Sequence, residues 1–496
     1  VRPGTILDDL RNAAEKYHLT FGPDPATHNH CTLGGMIGNN PCGIHSVMAG
    51  RTADNVEELE ILTYDGLRLR VGRTSEAELE RIIRGGGRRG EIYAKLKVLR
   101  DRYADLIRAR YPMIPRRVSG YNLDELLPEN GFHVARALVG SEGTCVTILE
   151  ATVRLVHSPP AHTLVVLGYP DVYQAGDHIP EVMEHAPLGL EGIDDRLVGY
   201  IHKKDLHAEY TELLPPGGGW LLVEMGGATK EEANARAHEL MAALKKHGQP
   251  PAMRLFDDVK QSAKIWEIRE SGLGATAYIP GMPDTWPGWE DSAVPPERLG
   301  HYLRDLRELF EKYRYQCALY GHFGQGCVHV RIDSDLTTRA GIDQYLGFLT
   351  EAADLVVSYA GSLCGEHGDG QARAALLVFG ALISPQFLTE ISLSGYLFAA
   401  LALLFVRPIA LGIALVGSRL HWREMAAAAW FGPKGFASVV YGILILKAGL
   451  ERGDDLFHLL AIVVVGSIIA HSSTDVVIAR WFQKAEAETE SAKLYP

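Results

Sequence analysis

Apolar and polar residues alternate from Gly326 onward, with Val328, Val330 and Ile332 on one face and Cys327, His329 and Arg331 on the other. A period of two predicts a half-buried strand whose His329 points away from the apolar side. Gly321, Gly324 and Gly326 precede it and permit tight turns, so His322 can fold back towards His329. The segment VEELEILTYDG reads as another strand, SEAELERIIR as a helix, and IWEIRE as a helix carrying Arg269. ARALVGSEGTCVTILEATVRLV reads as a strand, a turn at Gly140, Ser141, Glu142 and Gly143, and a second strand. Past residue 375 the pattern changes to long apolar runs.

Charge changes at the same boundary. The chain of 496 residues has a net charge of -12, yet residues 376 to 496 hold nine Lys/Arg and nine Asp/Glu. The whole excess therefore lies upstream, where 40 basic residues face 52 acidic ones, a balance that argues against a nucleic-acid partner. The six cysteines show no CxxC spacing, which argues against a zinc ribbon, an iron-sulfur cluster or a disulfide framework and fits a reducing compartment. The opening VRPGTILDDL has neither a charged n-region nor an apolar h-region, so no signal peptide is expected.

Two segments can carry chemistry. CTLGGMIGNNPCGIHSV combines Thr32, Gly34, Gly35 and Gly43 with Asn39 and Asn40, and Gly140 to Gly143 form the second turn. Glycines let a ligand approach the backbone closely, and two such turns between strands suggest one cofactor approached from two sides. His322 and His329 alone are too few for a metal site and could be a hydrogen-bonded pair in a turn. RGGGRRGE at residues 84 to 91 follows a helical pattern and precedes another, so it reads as a helix-to-helix turn and not a phosphate loop.

These segments, with FGPDPATHNH, SGYNLDELL, WEIRESGLGA, TWPGWEDSAVPPERL and GSLCGEHGDGQARA, resemble FAD-linked 2-hydroxy-acid dehydrogenases and oxidases of the D-lactate dehydrogenase and glycolate oxidase group. The resemblance covers most of residues 1 to 375 and implies a vanillyl-alcohol-oxidase-type fold. It implies an α+β architecture: a truncated FAD-binding domain over residues 1–158, then an α+β substrate and metal domain over 159–375, also truncated. It implies FAD held by Thr32, Gly34, Gly35, Asn39, Asn40, Gly43, Gly140, Ser141, Glu142 and Gly143. It further implies a divalent, zinc-like metal on His322, His329 and Glu366, with His367 as base and Arg269 pairing with the substrate carboxylate. Many relatives have Asp and Asn where this chain has Gln325 and Cys327. The family's pyrophosphate loop would lie just before the chain begins, so weak flavin binding is expected. The substrate expected is a small D-2-hydroxy acid; the electron acceptor is left open.

Residues 395–417, 425–446 and 456–470 form apolar runs long enough, or nearly so, to span a bilayer. FVRPIAL, WFGPKGFASVVY and IIAHSSTDV resemble the last helices of bacterial sodium/proton antiporters, which implies an all-α transmembrane segment over residues 376–485, a transport role for Lys434 and a polar tail over 486–496. The expected location is a bacterial inner membrane in contact with lipid, the soluble part and the C-terminus cytoplasmic. The expectation is a flavin-dependent dehydrogenase fused to an antiporter fragment; a cation/proton antiporter and an inactive fusion are the alternatives.

Overall fold

The computed structural model describes residues 1–246, 248–286 and 288–370, together with residues 396–398, 401 and 463. The chain divides into two compact units, Val1–Gly370 and Gln371–Pro496. Apart from those few residues, the three apolar runs and Lys434 lie outside the described residues. Among the described residues no helix is long and apolar enough to cross a membrane.

The first unit mixes helices with antiparallel sheet. Among its described residues the strands, in chain order, are β1 (Leu19–Thr20), β2 (Val56–Thr63), β3 (Arg68–Val71), β4 (Val146–Val153), β5 (Val156–His157) and β6 (Ala161–Tyr169). They are followed by β7 (Gly189–Asp194), β8 (Gly219–Gly227), β9 (Ala252–Phe256), β10 (Asp291–Ala293), β11 (Tyr320–Gly321) and β12 (Cys327–His329). Strands β3, β2 and β4 form a three-stranded sheet in that order. A seven-stranded sheet runs β10-β12-β11-β7-β8-β6-β9.

The strand expected at VEELEILT is β2, whose Val56, Leu59 and Ile61 enter a core shared with Leu79, Tyr93, Phe132 and Ala151. SEAELERIIR lies in the helix Glu76–Gly85, capped by the Ser75 side chain, and a second helix begins at Gly87, as expected for RGGGRRGE. Three local expectations need correction. ARAL before Gly140 belongs to the short helix Val134–Leu138, where the His133 side chain accepts from the Arg136 N–H and starts the turn. The glycines of LGGMIGN lie in a helix, Leu33–Asn39, with Thr32 capping the Gly35 N–H. Finally, β12 is buried on both faces: Val328 enters the apolar cluster on one side, and Cys327 and His329 face the segment of Gly365 and Glu366 on the other. Alternation sorted its residues correctly, but the polar side faces a site and not solvent.

The large sheet owes its burial to apolar faces on both sides. Val165, Leu167, Leu221, Val223, Tyr302, Leu306 and Phe348 pack in one cluster, and Leu164, Val166, Leu222, Ile193, Ile265 and Ile268 in another. The cluster with Ile265 and Ile268 buries one side of the helix Val259–Glu270, and Arg269 is buried with them. This packing carries a charged side chain into the interior, where it needs a partner.

Candidate active site

Gly326 makes the turn that brings the histidines together. Its φ is +72°, and a Cβ built there would fall 1.9 Å from the Val294 carbonyl oxygen, so only glycine fits. The turn is closed by Gln325 N–H and Cys327 N–H donating to the His322 carbonyl at 3.0 and 3.2 Å. The His322 and His329 rings then stand edge to face, 5.0 Å between centroids. Glu366 arrives from 44 residues away: its Oε2 hydrogen-bonds His322 Nε2 and lies 3.5 Å from His329 Nε2. One donor atom from each of these residues lies within 4.8 Å of the others, as a shared divalent ion requires.

The surroundings suit such an ion. His322 Nδ1 is held by Glu191 Oε1 at 2.7 Å, which directs Nε2 towards the cluster. His329 is buried, and burial with His367 and His322 nearby lowers it to about 4 against the pull of Glu366, leaving the neutral imidazole that binds metals. Its Nδ1 is buried without a hydrogen-bond partner among the described residues. Burial opposes ionisation of Glu366, but His322, His329 and Arg116 outweigh it and hold the carboxyl well below its usual range. Two imidazoles and an ionised carboxylate form a donor set that fits a zinc-like cation.

His367 stacks on His329, with centroids 4.9 Å apart and planes within 5°. Its Nδ1 lies 3.3 Å from Glu290 Oε1. Burial opposes its protonation, yet Asp291, Glu290 and Glu366 more than compensate and raise it to about 9. Asp291 also shapes the turn: its Oδ2 accepts from the backbone N–H groups of Gly365, Glu366 and His367 at 2.8, 2.7 and 3.4 Å. On β10, Asp291 is the register partner of His329. One carboxylate thereby aligns both halves of the cluster.

Arg116 is fully buried and joins the two sheets' territories. It donates through Nε to Gln325 Oε1 at 2.8 Å, through Nη2 to Ser46 Oγ at 2.5 Å and to the Gly43 carbonyl, and through Nη1 to Glu366 at 3.2 Å. Gln325, at a position where the resembling family often has Asp, is thus an acceptor for this arginine. Arg269 is not on the surface: Nε and Nη2 both meet Glu191 Oε2 at 2.7 Å, and the guanidinium lies 5.1 Å from the Tyr320 ring centroid. Glu191 therefore serves His322 and Arg269 at once. Nothing in GLEGID distinguished it, and Arg116 and Asp291 were equally invisible because their partners are remote in sequence.

A cavity of about 820 Å³ contains His322, His329, Arg269, Glu366 and His367 in its wall. Gly35 and Asn39 line it too, beside Met36, Pro41, Ile44 and Trp266. Asn39 Nδ2 donates to the Glu366 carbonyl at 3.1 Å. The other residues expected at a cofactor are placed differently. Thr32 caps its helix and Gly34 donates to the Pro3 carbonyl at 2.8 Å. Asn40, left-handed at φ 65°, accepts from Ala53 N–H at 2.9 Å, while its buried Nδ2 has no hydrogen-bond partner among the described residues. Gly43 N–H donates to Glu366 Oε1 at 3.2 Å. The turn from Gly140 docks on the first segment through Gly140 N–H to Ile37 O and Glu142 N–H to Gly38 O, both 2.9 Å; Ser141 is buried there and the Gly143 carbonyl accepts from Tyr64. The two glycine segments do converge, and an apolar wall flanked by amides fits a flat flavin ring.

A third acidic and histidine group borders the same cavity. His45 bridges Asp24 at 2.5 Å and Glu224 at 2.7 Å, and Glu224 also meets His162 at 3.1 Å. Each of these contacts occupies a donor atom, so the group is a satisfied ion-pair network.

Residues 158–379 match the family described as FAD linked oxidases, C-terminal domain, and residues 1–72 match the FAD binding domain. The chain is 30% identical over 378 residues to D-2-hydroxyglutarate dehydrogenase of Pseudomonas putida, covering 75% of this chain and 38% of that protein. It is 26% identical to glycolate oxidase subunit GlcD of Bacillus subtilis, covering 76% and 68% of the two chains. It is also 26% identical to D-lactate dehydrogenase of Archaeoglobus fulgidus, covering 75% and 69%. The chain thus spans about two fifths of the length of the first of these relatives. Neither family match is a transporter domain, so the antiporter resemblance gains no support from them. One match is to a domain of FAD-linked oxidases and the other to an FAD-binding domain, so FAD is the cofactor that both imply.

Proposed function

We propose that this chain is the catalytic portion of an FAD-dependent dehydrogenase that oxidises a D-2-hydroxy acid to the 2-oxo acid. The observation that carries the reading is the convergence of His322, His329 and Glu366 with His367 stacked beside them, in one cavity with Asn39 and Gly35. When bound, FAD supplies the hydride acceptor, and a divalent cation on His322, His329 and Glu366 supplies polarisation of the substrate hydroxyl. The remaining work falls to the protein. Glu290 beside His367 Nδ1 favours the tautomer whose Nε2 accepts the hydroxyl proton. Arg269, held by Glu191 through Nε and Nη2, keeps Nη1 for a substrate carboxylate.

His367 must be neutral to accept a proton, and its acidic neighbours raise it to about 9. Flavin reduction by substrate should therefore accelerate as pH rises through the titration of His367. Stopped-flow bleaching of bound FAD by D-2-hydroxyglutarate, D-lactate and glycolate, with metal content assayed on the same samples, tests the reading. FAD that stays oxidised with every one of these acids would refute it. Membrane attachment through residues 376–485, at a bacterial inner membrane, is a separate proposal resting on the apolar runs alone; release of the chain into the supernatant on carbonate extraction would refute it.

A further inference from the structure

We infer that Arg331 selects the substrate: it receives a second, distal carboxylate, so the site takes a dicarboxylic 2-hydroxy acid in preference to a short monocarboxylic one. The inference rests on the dehydrogenase reading above and assigns a specificity residue to it. Arg331 lines the same cavity as His329 and His367. It follows His329 by two positions in extended chain, so it lies on the same face, about 7 Å further along. That step suits a substrate whose hydroxyl end meets the histidines and whose far end lies a few bonds away.

The charges around the cavity single it out. Arg269 is bonded to Glu191, and Arg11 lies within 4.0 Å of Asp8 and Asp24. Arg331 alone among the cavity's described arginines has no carboxylate within 4.0 Å. Its Nε donates to Thr285 Oγ1 at 3.2 Å, and Thr285 in turn donates to the Thr276 carbonyl at 2.8 Å. The backbone on either side is pinned, Val330 N–H to the Glu290 carbonyl at 2.8 Å and Trp286 N–H to the Ile332 carbonyl at 3.2 Å. Nε is anchored, and the planar Nη1 and Nη2 fork has no protein partner among the described residues. A half-buried guanidinium held in this way is preorganised for a carboxylate.

The test has a binding arm and a turnover arm on the FAD- and metal-loaded chain. Calorimetry should give tighter binding of glutarate than of butanoate, which has one carboxylate fewer, by roughly 10- to 100-fold, and Arg331→Gln should remove that difference while Arg331→Lys restores part of it. The ratio of kcat/KM for D-2-hydroxyglutarate to that for D-lactate should fall by a similar factor in Arg331→Gln, mainly through KM. Equal losses for both substrates, or an unchanged glutarate preference, would overturn the role of Arg331 and leave the dehydrogenase reading intact. Failure of both acids to reduce the wild-type flavin would overturn both. Circular dichroism matching wild type confirms that Arg331→Gln is folded when either result is scored.

Discussion

The territory of the three-stranded sheet and that of the seven-stranded sheet build the same cavity with different materials. The first contributes Gly35, Met36 and Asn39 from the helix beginning at Leu33, then Pro41 and Ile44, with Arg11, Asp24 and His45 as already paired charges, while the turn from Gly140 supports that helix through Ile37 and Gly38. The second contributes ionisable side chains, with Glu191, Arg269, His322, His329, Glu366 and His367 mutually bonded or stacked. The difference teaches that a surface for a cofactor can be made by bringing two glycine segments together. Metal and acid-base chemistry needs charges removed from water, and each such charge needs a partner. Arg116 and the Gly43 backbone, both bonded to Glu366, are where the two materials meet.

The largest effect expected from breaking this arrangement is on the charged side. His367→Gln should slow flavin reduction by about 10²- to 10⁴-fold while FAD and metal content remain, the signature of a lost proton acceptor. Retention of fast reduction would remove His367 from the chemistry. On the backbone side, Gly43→Ala should destabilise the fold by about 2 to 4 kcal/mol in denaturant unfolding, because φ is +86° and the new Cβ would fall 2.2 Å from the Asp24 carbonyl carbon and oxygen. A change within the error of the unfolding curve would mean that the junction yields easily.

Glu191→Gln sharpens the contrast, because it changes no ligand and removes the charge that serves both His322 and Arg269. Metal affinity measured by competitive chelation should weaken by roughly 10- to 100-fold, with the protein still folded. The smallest effect concerns pH. His133, buried near Phe132 and Val134, is lowered to about 4, chiefly by burial. Its unfolded form binds a proton below about 6.5, so the neutral folded form contributes stability above that value which is lost as pH falls towards 4. His133→Asn keeps a side-chain acceptor for the Arg136 N–H but does not titrate. Between pH 7 and about 4.5 the variant should lose about 1 to 2 kcal/mol less stability than wild type, and parallel curves would show that His133 does not control this window.

Much of this site could be read along the chain because short-range rules govern it. Alternation put His329 opposite Val328 and Val330, glycine spacing allowed His322 to return, and resemblance supplied Glu366 and His367, which do meet the histidines. Helix capping by Ser75, Thr32 and His133 likewise depends on residues only a few positions away. Local pattern failed at ARAL, where a helix of five residues replaced the expected strand, because so short an apolar segment satisfies either period.

What only the tertiary structure decided is the pairing of buried charge. Arg269 on its helix has the local pattern of an exposed arginine, and its burial follows from Ile265 and Ile268 packing on the large sheet. Glu191, Asp291 and Arg116 acquire their roles from hydrogen-bond partners 70 to 250 residues away. Arg331 shared a strand face with His329 in the sequence pattern, but its lack of a carboxylate partner appears only when its neighbours are placed in space. The chain by itself determined which residue types were available and which local turns they could make. Folding determined which charges were desolvated and which partners each received, because electrostatic strength depends on distance and burial, and neither is a property of sequence separation.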